Sequence, residues 1–267
     1  GINFRVECKK PDTSKPRVYD CFSFFNELDV LEIRLNEMYD IVDKFVLVEA
    51  SQTHSGKPKP MYFKENEARF SKFLDKIEYI PIDYPGQPGE SSWFREGYQR
   101  DIINRGLEKL ALRDSDIIIV SDADEIAGRK VLEEYISIGT LKPAIVQQTM
   151  YHYFLNCRAD KPWQGTRILR YELVKRVGTH TARILTDQSA DTPEFRSDGM
   201  LRIDGGWHFT YLVGYDADAL ATKIKSFAHI EYDKPEFTNA EHLLECITNG
   251  KDPYNRDSET LTFVEVD

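Results

Sequence analysis

The stretch Asp116-Ile117-Ile118-Ile119-Val120-Ser121-Asp122-Ala123-Asp124-Glu125 decides the fold. After Asp116, residues 117–120 are a continuously apolar run of β-branched residues, which predicts a buried central strand. Its second half leaves that strand in a polar turn with two carboxylates separated by one residue. Ligands of open α/β sheets bind beyond the carboxyl ends of the strands. The stretch therefore predicts a buried strand with a ligand-binding turn at its end.

Strands and helices alternate on both sides of this stretch. We predict strands over 19–25, 45–48, 77–82, from 144 and over 203–212, and helices from 29 and over 65–75, 93–112, 129–138, 216–228 and 239–249. The Asp-rich residues 186–199 predict a loop. This alternation predicts one α/β domain over 18–267, with a mostly parallel central sheet covered by helices on both faces. The polar residues 1–17 predict an arm or linker.

Composition excludes several classes of protein. The 267 residues are 41% hydrophobic, enough for a folded core, and carry a net charge of −10, which argues against a nucleic-acid partner. No apolar stretch approaches the roughly 20 residues of a membrane span. We expect a cytoplasmic location if the chain is complete, and the Golgi lumen if an N-terminal anchor was removed. The four cysteines contain no CxxC pair, which argues against a zinc site, although a Cys8–Cys21 bridge stays open.

The turn after the central strand is the main candidate for a metal site. Asp122 and Asp124 supply the carboxylate oxygens that Mg²⁺ and Mn²⁺ prefer, and such ions commonly share their ligands with substrate phosphates. The alternative is that one of these aspartates caps the helix beginning near Gly128. The position of the pair after an apolar strand favours the metal.

Three other segments carry candidate binding groups. Arg95 and Arg100 lie in the stretch 93–101 and are suited to phosphate, although their spacing alone slightly favours a solvated helix with a Glu96–Arg100 pair. The run 204–209 offers two glycines, a sugar-stacking indole and His208, or else a bulged strand with a core Trp and His. Downstream, Lys225, His229 and Glu231 form a further polar cluster.

Taken together, these segments resemble glycosyltransferase family 17. The resemblance rests on five segments in the family's order, from about Val18 to Tyr232: 25–35 with its Phe-Asn-Glu-Leu-Asp start, Gly56-Lys57-Pro58-Lys59-Pro60, Trp93–Arg100, Ser121–Ile126 and Gly205–Phe209. That family includes the animal bisecting β-1,4-N-acetylglucosaminyltransferase. The resemblance implies a GT-A fold, a UDP-sugar donor with UDP-N-acetylglucosamine favoured, a glycan acceptor, a divalent ion (Mn²⁺ or Mg²⁺) and inversion at the anomeric carbon.

The resemblance also implies roles for individual residues. Asp122 and Asp124 match the metal-binding triplet, and Arg100 matches an arginine near the donor. Asn26 and Glu49 fall where GT-A folds receive the nucleoside, and Arg95 and Lys225 are further donor-binding candidates. No stretch of the given sequence resembles the membrane anchor of the animal enzymes, so we do not expect the N-glycan acceptor to carry over.

Inversion needs a base for the acceptor hydroxyl, and Asp204 and Glu231 are the candidates. We also predict that His208 or His229 completes the metal shell. Aromatic side chains expected at the acceptor site are Tyr151, Trp163 and Trp207.

Three alternative functions stay open. A metal-dependent phosphohydrolase also uses an Asp-X-Asp motif, but normally at the start of its domain. A nucleotidyltransferase would carry a Gly-rich basic loop near the N-terminus, where this chain has Phe24-Phe25-Asn26-Glu27. A carbohydrate-binding protein would use Trp93, Trp163 and Trp207 as stacking surfaces and would need no paired acids.

Overall fold

The structure is a computed structural model that describes residues 15–83, 86, 89–187, 199–256 and 259–265. Its strands are β1 (Val18–Phe24), β2 (Lys44–Ala50), β3 (Ile77–Ile82), β4 (Ile117–Asp122), β5 (Glu125–Ile126), β6 (Ala144–His152), β7 (Cys157–Ala159), β8 (Arg167–Arg170), β9 (Leu201–Thr210) and β10 (Leu261–Phe263). Its α-helices are α1 (Leu28–Met38), α2 (Tyr62–Glu65), α3 (Ser92–Asp101), α4 (Ile103–Glu108), α5 (Arg129–Ile138), α6 (Tyr171–Val177), α7 (Thr179–Ile184), α8 (Ala217–Ile224), α9 (Pro235–Thr238) and α10 (Ala240–Asn249). Residues Glu67–Lys76 and Ile230–Tyr232 form 3-10 helices.

One sheet joins all these strands. Its main path runs β10-β7-β6-β8-β4-β1-β2-β3. The half from β4 to β3 is parallel, with Cys21 of β1 aligned to Val46 of β2 and to Val120 of β4. Their carboxyl ends therefore meet at one edge of the sheet, where Asp122 ends β4.

The other half of the sheet mixes strand directions. β8 runs antiparallel to both β4 and β6, whereas β6 and β9 are parallel. The short β5 pairs with β9 and brings Glu125 opposite His208. This pairing places the segment after the Asp-X-Asp turn beside a strand about eighty residues further along the chain.

Helices cover both faces of the sheet, and the predicted fold class is confirmed. On one face, Leu31 and Leu35 of α1 and Leu132 of α5 belong to a buried apolar cluster. On the other face, Ile103 of α4 and Val174 of α6 belong to a second cluster. A third, smaller cluster lies between α8, α10 and the strand ends near Tyr153 and Tyr211.

The predicted elements differ from the observed ones in two helical segments. The single helix expected over 93–112 is two helices, α3 and α4, separated at Ile102. The helix expected over 65–75 is mainly a 3-10 helix with non-helical dihedral angles at Phe70 (φ −100°, ψ 15°), a fully buried ring. The predicted helix over 129–138 matches α5.

The ends of the domain and the cysteines bear on the remaining predictions. Arg17 forms an ion pair of 2.8 Å with Asp116, so the start of the described chain is attached to β4. The structure leaves most of the predicted arm undescribed, along with 188–198 of the predicted loop.

Cys21 is buried and free, and its suggested partner Cys8 lies outside the described residues. Among the described helices, none combines the length and apolar character that crossing a membrane requires.

Candidate active site

A cavity of about 420 Å³ opens at the carboxyl ends of β1, β2 and β4. This volume lies in the range that holds small ligands and cofactors. Phe24 and Glu27 line it from the end of β1, His54 from the loop after β2, and Asp122 from the end of β4. The floor of the cavity therefore coincides with the edge where the sequence predicts a ligand.

Asp122 is the more accessible of the two aspartates, with 38% of its side chain exposed. Arg100 of α3 donates to both of its carboxylate oxygens, at 2.8 and 3.1 Å. Arg183 of α7 approaches from another side, at 3.3 Å. Burial alone would raise the pKa of Asp122, but the two guanidinium groups outweigh it and hold that pKa well below its ordinary value.

Asp124 is 8% exposed and is held by nitrogen atoms of side chains from two other elements. Lys223 of α8 donates to its Oδ2 at 3.0 Å, and His208 Nε2 of β9 lies 3.5 Å from its Oδ1. Burial opposes ionisation here too, but Lys223 and then His208 keep the pKa of Asp124 well below its ordinary value. The Lys223 ammonium also lies 3.3 Å from Glu27 Oε1, and the pKa of Lys223 is raised because the two carboxylates outweigh its burial.

Glu125 is fully buried and ties the turn to two neighbouring segments. Its Oε1 accepts hydrogen bonds of 2.5 Å from the Trp163 indole and from Arg183. Its Oε2 accepts the backbone N–H of Asp122 at 3.0 Å. Glu125 thus fixes the positions of an indole and a guanidinium that both line the cavity.

The ionised groups around the turn suit a divalent cation. Five carboxylates (Glu27, Glu96, Asp122, Asp124 and Glu125) connect with three cations, namely Arg100, Arg183 and Lys223. The carboxylates of the cluster therefore outnumber its arginine and lysine groups by two, and the low pKa values keep Asp122 and Asp124 deprotonated, as metal ligands must be. Among the described residues, no group of three or more His, Cys, Asp or Glu side chains is preassembled for a metal. The residues present fit an ion that completes its coordination with water and substrate oxygens, as Mg²⁺ and Mn²⁺ commonly do.

The predicted helix cap is not observed. α5 begins at Arg129 after Gly128, and Glu37 rather than either aspartate accepts the backbone N–H of Arg129, at 3.1 Å. The predicted Glu96–Arg100 ion pair is present, and it coexists with the contact between Arg100 and Asp122.

The predicted donor-binding residues separate into two groups. Arg100 lines the cavity, whereas Asn26, Glu49, Arg95 and Lys225 are absent from the described lining. Each of the latter group borders or supports a lining segment. Asn26 lies between two lining residues, Phe25 and Glu27.

The other three candidates form contacts with segments outside the cavity lining or at its border. Glu49 is fully buried and accepts from the Phe63 N–H (2.9 Å) and the Tyr79 hydroxyl (2.8 Å). Arg95 donates to the carbonyl of His54 at 2.7 Å and thereby holds a residue that does line the cavity. Lys225 contributes its carbonyl, which accepts from the Ser55 hydroxyl at 2.8 Å.

Strand alternation separates the predicted acceptor residues. Trp163 lines the cavity and lies against His208, with ring centroids 4.8 Å apart. Trp207 and Tyr151 flank Phe209 on the opposite face of the sheet and pack against the core cluster of α1 and α5. Because neighbouring strand residues face opposite ways, Met150, His152 and His208 face the cavity instead.

The predicted histidines and catalytic acids lie at different depths. His208 is buried beside Asp124, while His229 is half-exposed at the cavity wall, where its Nδ1 is 2.6 Å from Glu231 Oε1. Asp204 is exposed and accepts from Gln147 at 2.6 Å, away from the described cavity lining. The structure therefore brings Glu231 to the cavity through His229, and it does not bring Asp204 there.

Sequence reasoning did not identify Arg183, Lys223 or Glu27 as site residues. Arg183 has no local signal, because its helix meets the Asp-X-Asp turn only through the tertiary fold. Lys223 has one: Leu220, Lys223 and Ile224 follow helical spacing and are all buried, so a lysine interrupts an apolar stripe.

Comparisons with known proteins bear on identity. Two curated relatives named beta-1,4-mannosyl-glycoprotein 4-beta-N-acetylglucosaminyltransferase, from Rattus norvegicus and Homo sapiens, are each 33% identical over 118 residues. The match covers 42% of this chain and 22% of each relative, so the matched region spans about a fifth of their length.

Among solved structures, the mannosyltransferase PcManGT from Pyrobaculum calidifontis, in complex with GDP-Man and Mn²⁺, is 13% identical with a TM-score of 0.45, covering 89% of this chain and 74% of that one. The pattern that describes glycosyltransferase family 17 matches residues 5–267, nearly the whole sequence. On that match, this chain belongs to glycosyltransferase family 17.

Proposed function

We propose that this protein transfers a sugar, N-acetylglucosamine being the favoured one, from a UDP-sugar to a hydroxyl of a glycan acceptor. The observation that carries the proposal is the Asp122-Ala123-Asp124 turn, which borders a cavity and belongs to a cluster whose five carboxylates outnumber its three arginine and lysine groups. Family membership and the names of the curated relatives support glycosyl transfer and the choice of sugar.

In this proposal Asp122 and Asp124 hold a divalent cation, Mn²⁺ or Mg²⁺, with His208 as a further candidate ligand beside Asp124. The cation would neutralise the charge that develops on the departing diphosphate. Arg100 and Arg183 flank Asp122 and line the cavity, so we place the phosphate oxygens of the donor beside their guanidinium groups. His54 and Phe24 lie at the ends of the first two strands, where we place the nucleoside.

The reaction we propose is a single displacement with inversion. An acceptor oxygen bonds to the anomeric carbon as the bond from that carbon to the UDP oxygen breaks, and the hydroxyl proton passes to a base of the protein. We place the acceptor between the Trp163 indole and the wall formed by Trp93 and His229, since aromatic faces suit sugar rings. Of the two acids considered as base, we retain Glu231, acting through His229.

The experiment is a turnover assay over UDP-sugars with and without Mn²⁺, comparing wild type with Asp122→Asn. We expect wild type to release UDP only with a divalent ion present. The variant removes one ligand charge and should lose about 10²-fold or more in kcat. Because the Asp122 side chain is 38% exposed, the variant should still fold.

Asp218→Asn is the matched control. Asp218 is an exposed residue in the first turn of α8 and should leave turnover unchanged. Undiminished turnover in EDTA, or turnover only with donors lacking UDP, would refute the proposal. A protein that merely binds carbohydrate would keep its glycan affinity in Asp122→Asn and release no UDP, and a phosphohydrolase would release inorganic phosphate.

A further inference from the structure

Arg34 is a buried charged residue that the proposed reaction does not contact. It lies in α1 with 1% of its surface exposed, and it is not among the residues described as lining the cavity. Its guanidinium forms a two-pronged pair with Asp20 of β1, from Nε to Oδ2 (2.7 Å) and from Nη2 to Oδ1 (2.5 Å). Asp20 is fully buried, so the pair is shielded from solvent.

The remaining donors of Arg34 all point at the segment that carries the Asp-X-Asp turn. Nη2 donates to the Ser121 hydroxyl at 2.6 Å. Nη1 faces three backbone carbonyls, those of Asp122 (2.8 Å), Ala123 (3.2 Å) and Glu125 (3.0 Å). One guanidinium therefore gathers the carbonyls of the turn on the side away from the cavity.

This arrangement has a geometric consequence for the carboxylates. Buried carbonyls need hydrogen-bond donors, and here three carbonyls of the segment accept from a single side chain. Fixing those carbonyls fixes the peptide planes on either side of Ala123, and with them the directions in which Asp122 and Asp124 leave the backbone. The Phe22 ring, 4.1 Å from the guanidinium carbon, limits movement of Arg34 itself.

We infer that Arg34 is a positioning residue that sets the spacing of the Asp122 and Asp124 carboxylates for a divalent cation, an inference that rests on the proposed function. Lysine cannot take its place, because one ammonium has three donors and no planar fork, and it cannot span Asp20, Ser121 and the turn carbonyls together. Arg34→Lys keeps the charge and removes the geometry.

The test measures Mn²⁺ binding directly, by the electron paramagnetic resonance signal of free Mn²⁺ in the presence of UDP. Arg34→Lys should raise the dissociation constant for Mn²⁺ about tenfold or more. Affinity for UDP without metal should stay unchanged, because Arg100 and Arg183 belong to other elements. A fold defect alone would weaken both affinities together.

Arg69→Lys is the matched control, since Arg69 pairs at the surface with Asp29 and Glu32 of α1, the helix that carries Arg34. It should bind Mn²⁺ as wild type does. If Arg34→Lys fails to fold, Asp20→Asn replaces it. This variant keeps the side-chain volume and weakens the two-pronged pair with Arg34, so the dissociation constant for Mn²⁺ should rise by a smaller factor.

Equal Mn²⁺ affinity in wild type and in the folded buried variant would overturn the inference while leaving the proposed function intact. Absence of Mn²⁺ binding by wild type would instead overturn the metal part of the proposed function, and this inference with it.

Discussion

At the scale of the residue, the site depends on charged side chains placed in apolar stripes. Arg34 follows Leu31 and precedes Leu35 on the buried face of α1, as Lys223 lies among buried residues of α8. Burying an unpaired charge is costly, so each such residue must have a partner. That rule could have identified Arg34 and Lys223 from the sequence. It could not have shown that both reach the same turn, because α1 and α8 lie nearly two hundred residues apart.

The His229–Glu231 pair makes a residue-scale prediction about proton transfer. Glu231 accepts at Nδ1 of His229, which leaves Nε2 as the atom that can take a proton from an acceptor hydroxyl. We expect His229→Gln to lower the rate of sugar transfer by about 10²–10⁴-fold, the usual contribution of a general base. Affinity for UDP, measured by calorimetry, should be unchanged.

His242→Gln is the control for that variant, since His242 bonds to the carbonyl of Pro253 and is not part of the described cavity lining. Glu231→Gln should show a smaller loss than His229→Gln, because it removes the partner that orients the ring and leaves the imidazole. A full transfer rate in His229→Gln would assign the base to another residue.

At the scale of the element, strand register decides which aromatic residues meet the cavity. β6 and β9 pair with Met150 opposite His208 and with Tyr151 opposite Phe209. The sequence predicts a strand near 203–212. Its register with β6 shifts between the pairs Gln147–Asp204 and Thr149–Trp207, so simple alternation along the sequence does not tell which residues face the cavity. A shift of one residue exchanges the two faces. The pleat therefore places Trp207 and Tyr151, the predicted acceptor residues, on the face of the sheet away from the cavity.

Two glycines, one in α3 and one in α4, give a prediction at the scale of the element. A Cβ at Gly106 in α4 would lie 2.6 Å from Val46 Cγ1 and 3.2 Å from Ile80 Cγ1, so Gly106 allows the helix to approach the sheet. Gly106→Ala should destabilise the protein by about 1–3 kcal/mol, the typical cost of overpacking. Denaturant unfolding measures this change in the free energy of unfolding.

Gly97→Ala in α3 is the comparison, since its Cβ would meet the ring of His180 at an ordinary 3.4 Å. There the higher helix propensity of alanine should dominate, and stability should rise by up to about 1 kcal/mol. Equal effects at the two positions would show that packing against β2 and β3 does not limit α4.

At the scale of the whole molecule, alternating strands and helices were sufficient to predict the fold class. The parallel half of the sheet followed from short apolar runs such as 45–48, which need cover on both faces. The antiparallel β8 and the pairing of β5 with β9 were not predictable, because these strands are short and their pairing is set by contacts far apart in sequence. The same holds for the cavity: the sequence predicts its Asp-X-Asp turn, but not the wall formed by residues of β6 and β9.

Buried histidine gives the molecule a pH dependence that precedes acid titration of its carboxylates. Burial, with a further contribution from His208, lowers the pKa of His152 from 6.5 to about 3. Below about pH 6.5 the His152 imidazole is protonated in the unfolded chain, whereas in the folded protein it stays neutral. The stability that the neutral His152 contributes is therefore fully present above that pH. As pH decreases, the free energy of unfolding falls by about 1.4 kcal/mol per pH unit once the imidazole of the unfolded chain is charged. The low pKa values of Asp122 and Asp124 act later, since their stabilisation is lost only below about pH 4.

We expect the free energy of unfolding to drop by about 2 kcal/mol from His152 alone between pH 7.5 and pH 5. Guanidinium chloride unfolding at pH 7.5, 6 and 5 measures it, with His152→Leu as the comparison. Both ring nitrogens of His152 are buried without a hydrogen-bond partner, so leucine removes the titration without stranding a donor or acceptor. The variant should show a shallower decline over this range, with His54, whose pKa burial also lowers, accounting for part of what is left. Parallel curves for the two proteins would mean that His152 takes up its proton in the folded state, and that water or a charge reaches the inner end of the cavity.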